Sequence, residues 1–145
     1  MFGRLRHWLS ERLNRTRRDR QLEHFIELLR KSEICTEKQV TDLVSSFGYE
    51  RGEITSGDDG VSQFCRFLIV KNAVTAWQCD KLKAGKFRGF YLDDYLLLEV
   101  VGQDNTSRSY RARDMRDGSI VRLIVTPMNR SKDRHIEYRV ERNFE

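Results

Sequence analysis

The stretch GKFRGFYLDDYLLLEVVG, Gly85–Gly102, with SYRAR from Ser109 and SIVRLIVTP from Ser119, decides how this chain folds. Tyr95–Gly102 is an apolar run, Ser109–Met115 alternates after its Tyr-Arg-Ala core, and Ser119–Pro127 is rich in β-branched residues. Each has the length and composition of a strand. Asp117-Gly118 joins the last two, and glycine's tolerance of positive φ suits a tight hairpin there. The first two flank the polar segment Gly102–Arg108. These runs predict a three-stranded antiparallel sheet.

Upstream, Gln21–Gly89 is helical in pattern and repeats itself. A shift of 39 positions lays Phe25 on Phe64, Leu29 on Leu68, Thr36 on Thr75, Gln39 on Gln78 and Leu43 on Leu82. Both copies read helix, short turn, helix. In each, a threonine followed three residues later by glutamine is a capping-box signature, in which hydroxyl and amide satisfy the orphan N–H groups of the second helix. Two paired helical hairpins follow, with Gly48–Gly60 as the loop between them. Asp58-Asp59 in that loop lacks the spaced ligands of a calcium loop and reads as a solvated turn. At the helix-to-sheet junction, Trp77, Phe87, Phe90 and Tyr91 read as packing residues. Gly85 there ends the helix in the left-handed conformation, with Lys86 and Arg88 pointing outward.

Charge is concentrated at one end. Residues 1–20 hold seven arginines against Glu11 and Asp19, a net +5 that equals the formal charge of the whole chain. Phe2, Leu5, Trp8, Leu9 and Leu13 recur near helical spacing, predicting a basic amphipathic leading helix. Such a helix either docks on the next domain or meets a membrane surface, an acidic partner or nucleic acid. With 39% hydrophobic and 34% charged residues over 145 positions, the chain has the composition of a folded protein holding one ordinary core. No window resembles a transmembrane span or a secretory signal, so a cytoplasmic location is expected.

The sequence carries few chemistry-bearing motifs. The three histidines, His7, His24 and His135, are scattered, and no H-E-x-x-H, G-x-S-x-G or Walker A pattern occurs. Cys35, Cys65 and Cys79 lack C-x-x-C spacing and read as reduced thiols, so neither metal nor disulfide framework is expected.

The run Gly85–Gly102, followed by SYRAR and VRLIVTP, resembles the eukaryotic-like bacterial serine/threonine protein kinases, whose small lobe opens with a similar prelude; Trp77-Gln78 and Lys81-Leu82 resemble the helix before it. The resemblance places the phosphate-covering G-x-G-x-x-G-x-V loop from Gly102, with Asp104 and Ser107 where the second and third glycines belong. It places Ile124 where the phosphate-holding lysine belongs and Arg122 where a small alanine lines the adenine pocket. Tyr138–Glu141 resembles the start of the helix that carries the lysine's glutamate partner, making Glu141 that candidate. No catalytic loop or magnesium motif of the family is present. Glycines let a backbone approach phosphate, whereas a carboxylate at Asp104 repels it.

The chain is therefore expected to be α+β. The parts are a leading helix over 1–20, a helical module over 21–90, and over 91–145 a three-stranded sheet with a C-terminal helix, resembling a truncated kinase small lobe. The expected function is a non-catalytic, kinase-like interaction or regulatory module. Gly102, Asp104, Ser107, Ile124 and Glu141 are its vestigial positions, and no cofactor, metal or small-molecule substrate is expected. Arg111, Arg113 and Arg122 alternate onto one sheet face and are the candidate docking residues for a protein partner. Two alternatives stay open: the ATP-binding half of a split kinase, and an adaptor for membrane or nucleic acid acting through the arginine-rich N-terminus.

Overall fold

In the computed structural model, residues 20–50, 60–128 and 135–142 are described. Most of the basic leading segment and Asp58-Asp59 lie outside them. Among the described residues, four helices precede the sheet: α1 over 20–32, α2 Glu37–Glu50, α3 Gly60–Val70 and α4 Ala76–Lys83. The expected loop is shorter than Gly48–Gly60, since α2 runs on through Gly48, where a helical backbone leaves room for any side chain. No described helix is long and apolar enough to cross a membrane.

The repeat is structural as well as sequential. Phe25 and Phe64 touch edge to face, 6.1 Å between ring centroids, and Leu29 and Leu68 are both fully buried. Each first helix ends on a positive-φ residue, Glu33 at 61° and Asn72 at 58°, again 39 positions apart. In the second copy, Ala73 N–H reaches back to the Leu68 carbonyl and Asn72 N–H to Ile69, which satisfies the last carbonyls of the helix. Both capping boxes form. Gly85, at φ 85°, stops α4 in the same way, with Lys86 N–H on the Lys81 carbonyl and Gly85 N–H on Leu82. Of the junction aromatics, Trp77, Phe87 and Phe90 pack, with Trp77 6.0 Å from Phe90 and 5.9 Å from Tyr110; Tyr91 is exposed, its hydroxyl donating to the Glu33 carbonyl at 2.7 Å.

Among the described residues the sheet has five antiparallel strands in meander order, two more than the sequence predicts. They are β1 Tyr91–Leu92, β2 Tyr95–Gln103, β3 Arg108–Asp114, β4 Ile120–Met128 and β5 His135–Glu141. The expected C-terminal helix is therefore wrong. Tyr138–Glu141 belongs to β5, paired in register with Arg122–Val125 of β4. Tyr138 and Val140, two apart, pack on the sheet's apolar core, as the period of a strand requires and that of a helix does not.

The sheet curls until its two edges meet. The Tyr138 hydroxyl donates to Asp93, beside β1, and the Tyr95 and Tyr138 rings lie 6.0 Å apart. The concave face is filled by Tyr95, Leu97, Ala112, Val121 and Leu123. The convex face, which carries the three candidate arginines, is partly covered by the helices. Leu96, Leu98 and Ile120 from it join the helical core around Phe64, Leu68 and Leu82, so helices and sheet share one apolar cluster.

Candidate functional site

That shared cluster leaves a cleft of about 990 Å³ between the helical turns and the convex sheet face. Its floor includes Leu96, Leu98, Ile34, Cys35 and Val74. Arg111, Arg113 and Met115 form the sheet wall, and Glu33, Glu37 and Asp42 stand on the helical side. The sheet wall is cationic, while the helical side carries both signs, since Arg30 and Lys71 stand there beside the three carboxylates.

Strand register decides what each candidate arginine does. Glu99 of β2 lies opposite Arg111 of β3, Arg111 opposite Arg122 of β4, and Arg122 opposite Glu141 of β5. The result is a row of acid, base, base, acid across four strands, whose outer members draw the two guanidiniums apart. Arg111 sits 3.8 Å from Glu99 and Arg122 3.9 Å from Glu141, all four partly exposed, so each pair contributes little to stability. Arg122 also donates to Ser109 Oγ at 3.4 Å and stands away from the cleft lining. Arg113 differs. Its cross-strand neighbours are Leu96 and Ile120, and among the described residues no carboxylate lies within ion-pair distance of it. Of the three expected docking residues, the structure thus brings Arg111 and Arg113 into one cleft.

The positions that the kinase resemblance would make vestigial fall on β2, β4, β5 and the turn between β2 and β3. Gly102 pairs with Ser109 across the β2–β3 ladder, and Ile124 lies half-buried on β4 between Ser109 and Arg139. Glu141 sits on a strand, opposite Arg122. Asp104 and Ser107 are the two ends of a hairpin turn, with Asp104 N–H donating to the Ser107 carbonyl at 2.9 Å. The Asp104 carboxylate turns inward and accepts from Thr106 N–H at 2.8 Å and Ser107 N–H at 2.7 Å, with both hydroxyls added. Those backbone bonds hold its carboxyl below the usual range. The N–H groups that a phosphate would need are already satisfied by a carboxylate.

A second polar cluster closes one end of the curled sheet. The Asp114 carboxylate, 2% exposed, takes Arg116 side-on at 3.0 and 2.9 Å and Arg142 at 3.2 Å, and both guanidiniums also reach the Tyr95 hydroxyl. Its oxygens are fully engaged, and it ties the end of β5 to the end of β3. Among the described residues no group of three or more histidine, cysteine, aspartate or glutamate side chains has a metal-holding arrangement.

Sequence reasoning does not reveal the helical wall of the cleft. Thr36 and Gln39 are legible as a cap, and both line the cleft together with their repeat partners Thr75 and Gln78. The signal that points to them is the repeat itself, which places the same two polar side chains at equivalent turns.

Comparison with family models, curated proteins and solved structures finds no match to this chain. Nothing in those comparisons links it to a kinase family.

Proposed function

We propose that this chain is a non-catalytic protein-binding module that takes an acidic, extended segment of a partner protein into the cleft between its helical turns and its sheet. The observation that carries this is Arg113, a cation between Leu96 and Ile120 on the cleft wall, with no described carboxylate to neutralise it. A guanidinium over an apolar floor suits a carboxylate whose neighbours are apolar. The opposing side, where Glu33, Glu37 and Asp42 stand beside Arg30 and Lys71, accepts mixed side chains: a strand sends alternate side chains to opposite sides, so carboxylates face Arg111 and Arg113 while apolar or basic residues face Glu37 and Asp42. A regulatory role, as in the resemblance to a kinase small lobe without its chemistry, fits a surface that binds and does not transform. The sealed turn at Asp104 supports the same reading, because it offers no free N–H array to a nucleotide.

The test is fluorescence anisotropy of the intact chain with a labelled octapeptide alternating glutamate and valine, beside one alternating lysine and valine. The acidic peptide is expected to saturate, and the Arg111→Gln/Arg113→Gln double variant to weaken it about tenfold at unchanged melting temperature. Equal binding of the two peptides, or an unaffected double variant, overturns the proposal.

A further inference from the structure

The second half of the repeat shows what a Thr-x-x-Gln cap of this chain does when a strand lies against it. Gln78 Oε1 accepts from Thr75 N–H at 2.9 Å, which aims Nε2 at the Leu97 carbonyl, 2.8 Å away. Thr75 Oγ accepts from Gln78 N–H at 3.1 Å, and its own proton goes to the Leu98 carbonyl. The two side chains thus grip two successive carbonyls of β2 where a register shift between Leu97 and Glu99 takes the strand out of its regular ladder.

The first half builds the same pair of donors and leaves them open. Gln39 Oε1 accepts from Thr36 N–H at 2.8 Å, and Gln39 N–H donates to Thr36 Oγ at 3.1 Å, matching the second copy to within 0.1 Å. Both residues are exposed and both line the cleft. Among the described residues neither Gln39 Nε2 nor the Thr36 hydroxyl meets an acceptor. The equivalent of Trp77, whose ring packs on Tyr110 of β3 in the second copy, is the exposed Lys38. That substitution turns a permanent core contact into a wettable seat, from which a strand can leave.

Resting on the cleft reading above, we propose that Thr36 and Gln39 bind two consecutive backbone carbonyls of the acidic partner segment, as Thr75 and Gln78 bind those of Leu97 and Leu98. Arg113 and Arg111, across the cleft, take its carboxylates. Recognition is then divided: the helical side reads extended backbone and the sheet side reads charge. This is one form of strand capture, in which main-chain bonds give affinity and side-chain pockets give specificity.

The test follows the side-chain amide of Gln39 by nitrogen-15 NMR during titration of the intact chain with the glutamate–valine octapeptide. Its two proton signals are identified by their loss in Gln39→Glu, a variant that keeps an oxygen for Thr36 N–H and so keeps the cap. Those signals are expected to shift and to saturate at the same peptide concentration as the anisotropy. With an uncharged octapeptide of glutamine and valine, Gln39→Glu is expected to bind about tenfold more weakly than the parent at unchanged melting temperature. Static Gln39 signals during binding that depends on Arg113 would sink this proposal and leave the acidic-cleft reading standing. Absence of any saturable binding removes both. Self-association that the acidic peptide competes away would give the seat to a second copy of the chain and overturn the assignment to a partner.

Discussion

Gln78 donates from Nε2 to the Leu97 carbonyl at 2.8 Å, while the same side chain's Oε1 completes the cap of α4. One amide therefore closes a helix and fastens it to a strand 19 residues later in the chain. Gln78 is 1% exposed, and its bond to Leu97 is made away from water, where a lost partner is costly.

Replacing Gln78 with alanine removes the glutamine half of the capping box and strands a buried carbonyl, and is expected to cost about 2–4 kcal/mol. Gln39→Ala removes only the exposed glutamine half of the first capping box and is expected to cost about 0.5–1 kcal/mol. Urea unfolding of the two variants checks the difference. Equal costs would mean that the bond to Leu97 contributes nothing beyond capping.

Asp114 makes the fold acid-sensitive. The Arg116 guanidinium first, then its backbone N–H and Arg142, hold the Asp114 carboxyl well below the usual carboxylate range. A depressed folded-state pKa stabilises the protein above the unfolded value of about 3.9, and that stabilisation is lost as pH falls from there toward the folded value. The parent chain is thus expected to lose melting temperature steeply below about pH 4, and Asp114→Asn to start several degrees lower at pH 7 with a flatter acid limb. Parallel acid limbs in the two proteins would remove Asp114 as the cause.

Calorimetry with Mg-ATP is expected to give no saturable heat, because Thr106 and Ser107 N–H groups are bound to Asp104 and repulsion from that carboxylate opposes a triphosphate. A dissociation constant in the micromolar range, about −8 kcal/mol, would contradict the non-catalytic reading and favour a split kinase.

The three cysteines are free and buried. Burial raises the Cys35 thiol, and Cys79 is raised by its hydrogen bond with Cys65 and by burial, so neither presents a ready thiolate. A thiol reagent at pH 8 is expected to label the folded chain slowly and all three sites within seconds in strong urea. Rapid labelling of any one in the native state would show that its helix opens far more readily than the packed core around Phe64 implies.

Local chemistry makes much of this protein legible in its sequence. Thr36 with Gln39 and Thr75 with Gln78 announce two helix starts, Gly85 a helix end and Asp117-Gly118 a hairpin, because each signal is satisfied within a few residues of itself. The central strands are readable for a similar reason: an apolar run such as Tyr95–Gly102, bounded by turn residues, can bury itself in only a few ways. Tyr138–Glu141 misleads because so short a segment has no decisive local preference, and it becomes a strand only when Arg122–Val125 supplies the hydrogen bonds of β4. The cleft is hidden for a deeper reason. Whether Arg111, Arg113 and Arg122 share solvent, acid or an open groove depends on Glu99 and Glu141 arriving beside them from the outer strands, and on the helices covering Leu96 and Leu98. The two glutamines carry that lesson in one pair: the sequence writes the same cap twice, and only the packing of β2 against α4 makes one of them core and leaves the other facing the cleft.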